Sequence, residues 1–243
     1  MKHPTTSDET ELSVLLGIGC LEVNPRAQRE MLRYLEGLLA ANTTINLTSI
    51  TDLRAGLRMH LVDSLLALPE IHDAPSGVMI DLGSGGGFPG VPLALATGRP
   101  AILLDSVRKK GTAVAGILGQ VVSRQDIVVA SERAEDHART HAREYAVVVA
   151  RAVAPLASLL ELASPLLVRG GLFVALKGAP GPGEIADCEK VASLVGFGRL
   201  SSREVALPGG RERRTIVSAV KTRESTVALP RRNGLAQKSP FAQ

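Results

Sequence analysis

The sequence predicts an α/β protein: a doubly wound, mostly parallel sheet with a helical N-terminal extension. Three observations predict it. Short apolar runs alternate with amphipathic stretches between residues 78 and 177, the order that builds parallel strands joined by crossover helices. The first run, Val78-Met79-Ile80-Asp81-Leu82, passes directly into Gly83-Ser84-Gly85-Gly86-Gly87-Phe88-Pro89-Gly90, where glycine lets the backbone turn sharply and approach a ligand. A closing apolar run, Arg214-Thr215-Ile216-Val217-Ser218-Ala219-Val220, has no helix after it.

Taken in order, residues 1–25 read as irregular, broken by Gly17, Gly19 and Pro25. From Arg26 to Ala41, Met31, Leu32, Leu35, Leu38 and Leu39 recur at helical spacing with Arg29, Arg33 and Glu36 between them, an amphipathic helix. Asn42 and Asn46 suit loop capping. A second helix is expected over Leu53–Leu68, with Leu57, Leu61, Leu65 and Leu68 on one face. His60 and Asp63 lie three apart on it, and are expected to form a hydrogen-bonded pair packing this helical cap onto the domain. A metal would need ligands the neighbourhood does not offer.

Residues 1–72 are thus assigned to the extension and 73–221 to the α/β domain. Within the domain a helix is expected from Val91, with proline suited to its first turn, then a strand at Ala101–Leu104 ending on Asp105. Helices around Val107–Val121, Glu132–Thr140 and Leu156–Leu162 alternate with strands at Ile127–Val129, Ala146–Ala150 and Leu172–Lys177. Pro230, Arg231-Arg232, Asn233-Gly234 and Pro240 make 222–243 a disordered basic tail.

At 243 residues and 45% hydrophobic, the chain can fill one sizeable core. No apolar run approaches about 18 residues and no leader is visible, so a cytoplasmic protein without a membrane partner is expected. Cys20 and Cys188 have neither metal-ligand nor redox spacing, which leaves reduced thiols and no metal site. Charge is uneven: residues 199–243 hold 10 Lys and Arg against 3 acids, while residues 1–198 hold 18 against 21. The basic end is either a solvated tail or an electrostatic footprint for nucleic acid.

The glycine turn decides the ligand class. Gly85-Gly86-Gly87-Phe88-Pro89-Gly90 formally matches a dinucleotide fingerprint. Asp81, however, directly precedes the glycines, where a carboxylate would repel a pyrophosphate. S-adenosylmethionine carries an ammonium and a sulfonium and no phosphate, so the acid becomes attractive. Asp105, roughly 20 residues beyond the glycines, has the offset of an acid that binds ribose hydroxyls. An NAD-dependent oxidoreductase and a non-catalytic, nucleoside-binding assembly factor remain as alternatives. Phe88 suggests a face against the ligand, or an anchor for the turn.

Asn42, Asn46-Leu47-Thr48, His60-Leu61-Val62-Asp63-Ser64, the run Asp81–Gly90, Leu104-Asp105-Ser106, Arg133-Ala134-Glu135, Arg151-Ala152 and Leu176-Lys177-Gly178 occur in one order. In that order the chain, from about residue 30 to 220, resembles the RsmG (GidB) family, guanine methyltransferases of small-subunit ribosomal RNA. The resemblance implies a Rossmann-like class I methyltransferase whose last strand pairs antiparallel. It implies S-adenosylmethionine as cofactor and carries Gly83, Phe88, Ala134, Glu135 and Arg151 over as cofactor contacts. Gly85, Gly87, Asp81 and Asp105 join them from the reading above. Glu135 at a helix start is also where an acid favours the first turn.

The target atom is narrowed by absence. Exocyclic-amine methylation in this fold generally uses an Asn/Asp-Pro-Pro-aromatic motif after the fourth strand, and here that place reads Val149-Ala150-Arg151-Ala152-Val153-Ala154-Pro155. Carbon methylation of cytosine needs a nearby cysteine, and Cys188 lies well beyond. Guanine nitrogen-7 has an in-plane lone pair and needs no general base. Arg151 is expected to hold the guanine carbonyl oxygen or a phosphate, and Lys177 a phosphate or simply water; these are the catalytic-side candidates. With few aromatics for stacking bases, an assembled or partly assembled subunit is expected to present the base to a monomeric enzyme. Arg211, Arg213, Arg214, Arg231 and Arg232 are expected to add phosphate contacts, and removal of 222–243 to leave the cofactor pocket untouched.

Overall fold

The computed structural model describes residues 6–151, 154–178 and 183–241. Among them β1 (Met79–Leu82), β2 (Ala101–Leu104), β3 (Ile127–Ala130), β4 (Tyr145–Arg151), β5 (Leu167–Lys177), β6 (Ser201–Ala206) and β7 (Arg213–Val220) form one sheet in the order β3-β2-β1-β4-β5-β7-β6. The first five strands are parallel. β7 runs antiparallel between β5 and β6, with Leu176 opposite Ile216. Strand order reverses between β1 and β4, and the crevice outside the carboxyl ends there is where open α/β sheets bind ligands.

The helices are α1 (Thr6–Ile18), α2 (Pro25–Asn42), α3 (Leu53–Gly56), a π-helical stretch at Leu57–Val62, α4 (Asp63–Leu65), α5 (Leu68–Asp73), α6 (Gly90–Thr97), α7 (Arg108–Val121), α8 (Ala134–Thr140), α9 (Leu156–Ala163), α10 (Glu184–Leu194) and α11 (Leu235–Lys238). Period-two alternation along the buried strands divides the core. Met79, Val147, Val149, Val174 and Ile216 pack with the N-terminal helices, α6 and α7. Ile80, Leu82, Val148, Ala150 and Phe173 pack with α8, α9 and α10 on the other face.

Three expectations are corrected. Residues 6–18, read as irregular, form α1, which buries Leu12, Leu15 and Leu16 at helical spacing. The helix expected over 53–68 is not uniform: its middle widens into the π-helical stretch, and α5 restarts at Leu68 with Pro69 in its first turn. The tail expected to be disordered folds back on the domain. Arg231 forms a paired-oxygen salt bridge with Glu161 (2.6 and 2.5 Å), itself 2% exposed, and Ala236 is 1% exposed. An ion pair with a partner 70 residues away supplies the order that composition hides.

Candidate functional site

β1 delivers the chain into the glycine turn, and β2 holds that turn in place. The N–H groups of Gly83 and Ser84 donate to the Leu104 carbonyl (2.8 and 3.0 Å). One oxygen of the Asp105 carboxylate accepts from Gly85 N (2.9 Å) and the other from Val107 N (2.8 Å). Gly85 has φ +54°, and a β-carbon built there would meet the Gly83 carbonyl oxygen at an ordinary 3.9 Å. Gly87 faces the other way: at φ +84° its added β-carbon would collide with the Tyr34 hydroxyl. That hydroxyl, fully buried on α2, donates to the Gly86 carbonyl (2.9 Å) and so props the turn from beneath.

Two clefts open at the carboxyl ends of the strands. The narrower, about 70 Å³, is lined by Gly83, Asp105, Ser106, Arg133, Ala134 and Glu135 at the ends of β1, β2 and β3. The wider, about 640 Å³, is lined by Met59, His60, Asp63, Arg151, Lys177 and Arg214 at the ends of β4 and β5. Leu159 of α9 borders both, so they adjoin.

Asp81, Gly85, Gly87 and Phe88, expected to face the cofactor, line neither cleft. Asp81 is fully buried beneath the turn, where one oxygen accepts from Gly90 N (2.7 Å). The other has no hydrogen-bond partner among the described residues. Burial pushes its carboxyl up to about 7, against the pull of the Gly90 N–H and the Arg151 guanidinium. A buried carboxylate with an unused acceptor is costly alone and suited to a cationic visitor.

Phe88, 5% exposed, stacks on His60 (centroids 4.5 Å apart, 5° between planes), meets Tyr34 edge-on and has the Arg151 guanidinium carbon 5.6 Å from its ring. This aromatic therefore anchors the turn, packed between Tyr34 and His60. Burial, and then the charge of Arg151, hold the His60 imidazole down to about 4. An Arg151 N–H donates to His60 Nδ1 (3.3 Å), which leaves Nε2 as the donor to the Thr48 hydroxyl (2.8 Å).

His60 and Asp63 were expected to bond to each other, and instead both serve Arg151. Arg151 donates to Asp63 Oδ2 (2.9 Å) and to the Met59 carbonyl (3.0 Å). Arg214 of β7 takes Asp63 Oδ1 (2.6 Å). The π-helical stretch carries Met59 and His60 toward the sheet; such widened turns recur at functional sites. Lys177 is paired with Glu184 at the start of α10. Ala152, beside Arg151 in the sequence motif, lies outside the described residues. Asn42 caps its loop as expected, accepting from Leu47 N (2.7 Å) and Thr48 N (3.0 Å). Cys188 is buried in α10 and lines neither cleft.

Sequence reasoning missed Tyr34, Thr48 and the internal role of Arg214. Tyr34 was detectable as one of only two tyrosines, lying on the apolar face of α2. Arg214 read as a phosphate contact because its partner, Asp63, is 151 residues away.

A parallel sheet closed by an antiparallel edge pair, with paired clefts over a glycine turn, is the architecture of the Rossmann-like methyltransferases. Solved structures of that class align with it. One is a putative S-adenosylmethionine-dependent methyltransferase from Methanococcus maripaludis (14% identity, TM-score 0.51, 79% of this chain and 94% of that one). Another is Haemonchus contortus phosphoethanolamine N-methyltransferase 2 with S-adenosylhomocysteine (13%, TM-score 0.52, 66% and 52%). Sequence resolves the family: residues 27–214 match rRNA small subunit methyltransferase G (GidB). Proteins named ribosomal RNA small subunit methyltransferase G are 38% identical in Roseiflexus castenholzii (91% of this chain, 94% of the relative) and 33% in Clostridium novyi (91% and 92%). The chain belongs to this family.

Proposed function

We propose that the protein transfers a methyl group from S-adenosylmethionine to nitrogen-7 of a guanine in small-subunit ribosomal RNA. The observation that carries the reading is the adjacency of the two clefts over the buried Asp81. The narrow cleft takes the adenosine, with Asp105 for the ribose hydroxyls, and the wide basic cleft takes the base. Asp81's unused oxygen, just beneath the turn, attracts the cationic methionine end. An NAD pyrophosphate would meet that same carboxylate unfavourably. When bound, the cofactor would supply an electrophilic methyl on a cationic sulfur, and nitrogen-7, with its in-plane lone pair, carries no proton that the chain must remove.

The chain's own task is then to position and to exclude water. Arg151, locked between Asp63 and the Met59 carbonyl, is placed to hold the guanine carbonyl oxygen without covering nitrogen-7. Entropic trapping of this kind contributes roughly 7–11 kcal/mol. His60 stays neutral at physiological pH, so it adds no charge beside a product base that becomes cationic. We read the working enzyme as a cytoplasmic monomer acting on an assembled or partly assembled subunit. Of the arginines expected to reach phosphate, Arg214 and Arg231 are committed to Asp63 and Glu161, and Arg213 pairs with Glu204, which leaves Arg211 and Arg232 for that role. Mapping methyl incorporation in unmodified small subunits and in naked ribosomal RNA tests both substrate and presentation; cofactor binding without incorporation in either would indicate an assembly factor.

Two expected results follow from named groups. Replacing Lys177 with alanine should leave S-adenosylhomocysteine affinity unchanged and reduce the salt dependence of particle binding by about one phosphate contact; an unchanged salt slope assigns Lys177 to Glu184 alone. The Asp81 carboxyl, raised by folding, contributes stability that is complete below its unfolded value and lost as pH rises through about 7. Above that pH it is ionised and attracts the cation, so S-adenosylmethionine should bind more tightly at pH 8 than at pH 6, releasing a proton at the lower pH. Calorimetry in two buffers of different ionisation enthalpy measures that release, and its persistence in Asp81→Asn would remove Asp81 from the account.

A further inference from the structure

The family match ends at residue 214, yet the narrow cleft is completed by a residue well beyond it. After β7 the chain returns over α8 and α9 and is fastened at successive points. Arg231 is held by Glu161. Asn233 donates to Asp136 Oδ2 (2.6 Å) and accepts from Arg139 (3.0 Å). The Gly234 N–H donates to Glu135 Oε1 (2.6 Å). Together they bring Gln237 into the lining of the cleft with Gly83 and Asp105. Gln237 is exposed, and its side-chain amide has no hydrogen bond among the described residues.

Glu135 is a cofactor contact by the family resemblance. One of its oxygens instead holds the tail, and the residue is 6% exposed. Ser106, Arg133 and Gln237 are the exposed polar side chains of that lining without a hydrogen bond among the described residues, and of these only the Gln237 amide offers one acceptor and two donors in a plane. That pattern complements an adenine edge, where an exocyclic N–H lies beside a ring-nitrogen acceptor and which glutamine pairs bidentately in nucleic-acid recognition. We propose that Gln237 binds the adenine edge of the cofactor, with 231–236 as the strap that positions it. The inference rests on the adenosine lying in the narrow cleft.

The test is calorimetric titration of the full-length protein with S-adenosylhomocysteine. Gln237→Leu keeps the bulk and removes both hydrogen bonds, and should bind about tenfold more weakly. Its unliganded thermal midpoint should match wild type, because the side chain is exposed. Backbone amides of 231–238 should also gain hydrogen-exchange protection on ligand addition in the wild type and not in Gln237→Leu. Asp105→Ala, run beside it, tests the cleft itself. Wild-type affinity in Gln237→Leu with lost affinity in Asp105→Ala overturns the role of Gln237 and leaves the cleft assignment standing. Wild-type affinity in both overturns the two together.

Discussion

Replacing Gly85 by valine is expected to abolish S-adenosylmethionine binding in a protein that still folds. The added β-carbon would meet no core atom, only the Gly83 carbonyl oxygen at an ordinary 3.9 Å. Valine would therefore project into the room a ligand needs, and the affinity loss should exceed about 100-fold, roughly the 2.7 kcal/mol of two tenfold steps. The backbone conformation disfavours a β-branched residue by about 1–3 kcal/mol, so the thermal midpoint should fall by several degrees without loss of cooperativity. Calorimetry and thermal unfolding of the same preparation separate the two effects. Wild-type affinity in the folded variant would remove the cofactor from this turn. Gly87→Val makes the contrast: it collides with Tyr34 and should cost stability first.

Arg151→Ala is expected to reduce turnover by about 100-fold or more, the scale on which a positioned electrostatic group contributes to catalysis. It also leaves Asp63, 4% exposed, with Arg214 as its remaining cationic partner. Breaking a buried pair commonly costs about 3–5 kcal/mol, and the retained Arg214 should hold this case to the lower end. Arg151→Lys separates the roles: it restores charge near Asp63 and much of the stability, while its single ammonium cannot reach the Met59 carbonyl, Asp63 and His60 at once. Recovered stability with turnover still depressed assigns Arg151 to positioning the substrate. Near-wild-type methylation by the folded Ala variant would make it purely structural.

What the sequence disclosed and what it withheld divide along physical lines. The strands from β1 to β5 are short apolar runs and were readable, as was the antiparallel β7 once the family resemblance was drawn. β6 was not: Ser-Ser-Arg-Glu-Val-Ala is a half-exposed edge strand whose order comes from pairing with β7. The glycine turn announced a nucleoside site, but not which glycines face it. A side chain added at Gly87 meets Tyr34 and one added at Gly85 does not, a distinction that depends on a helix about 50 residues earlier. Asp81 lies fully buried beneath the turn and not on a cleft wall, a depth that its place before the glycines does not reveal. The tail was misread because basic, proline-bearing composition resembles disorder, while the acids that hold it, Glu135, Asp136 and Glu161, lie far away in the chain.

The face of α2 that carries Met31, Leu32, Tyr34, Leu35 and Leu38 belongs to the same core as Leu103, Val147 and Ile216. During synthesis, that face is made early and its main partner, α7, about 80 residues later. At about 5–20 residues per second, the nascent chain carries an incompletely covered apolar helix for on the order of four to sixteen seconds. Its early companions, α1 and the Leu57–Val62 stretch, shield part of it in that interval. The extension is thereby a candidate client for chaperones that bind emerging chains, and the yield of soluble protein should respond to translation speed more sharply than its final stability suggests.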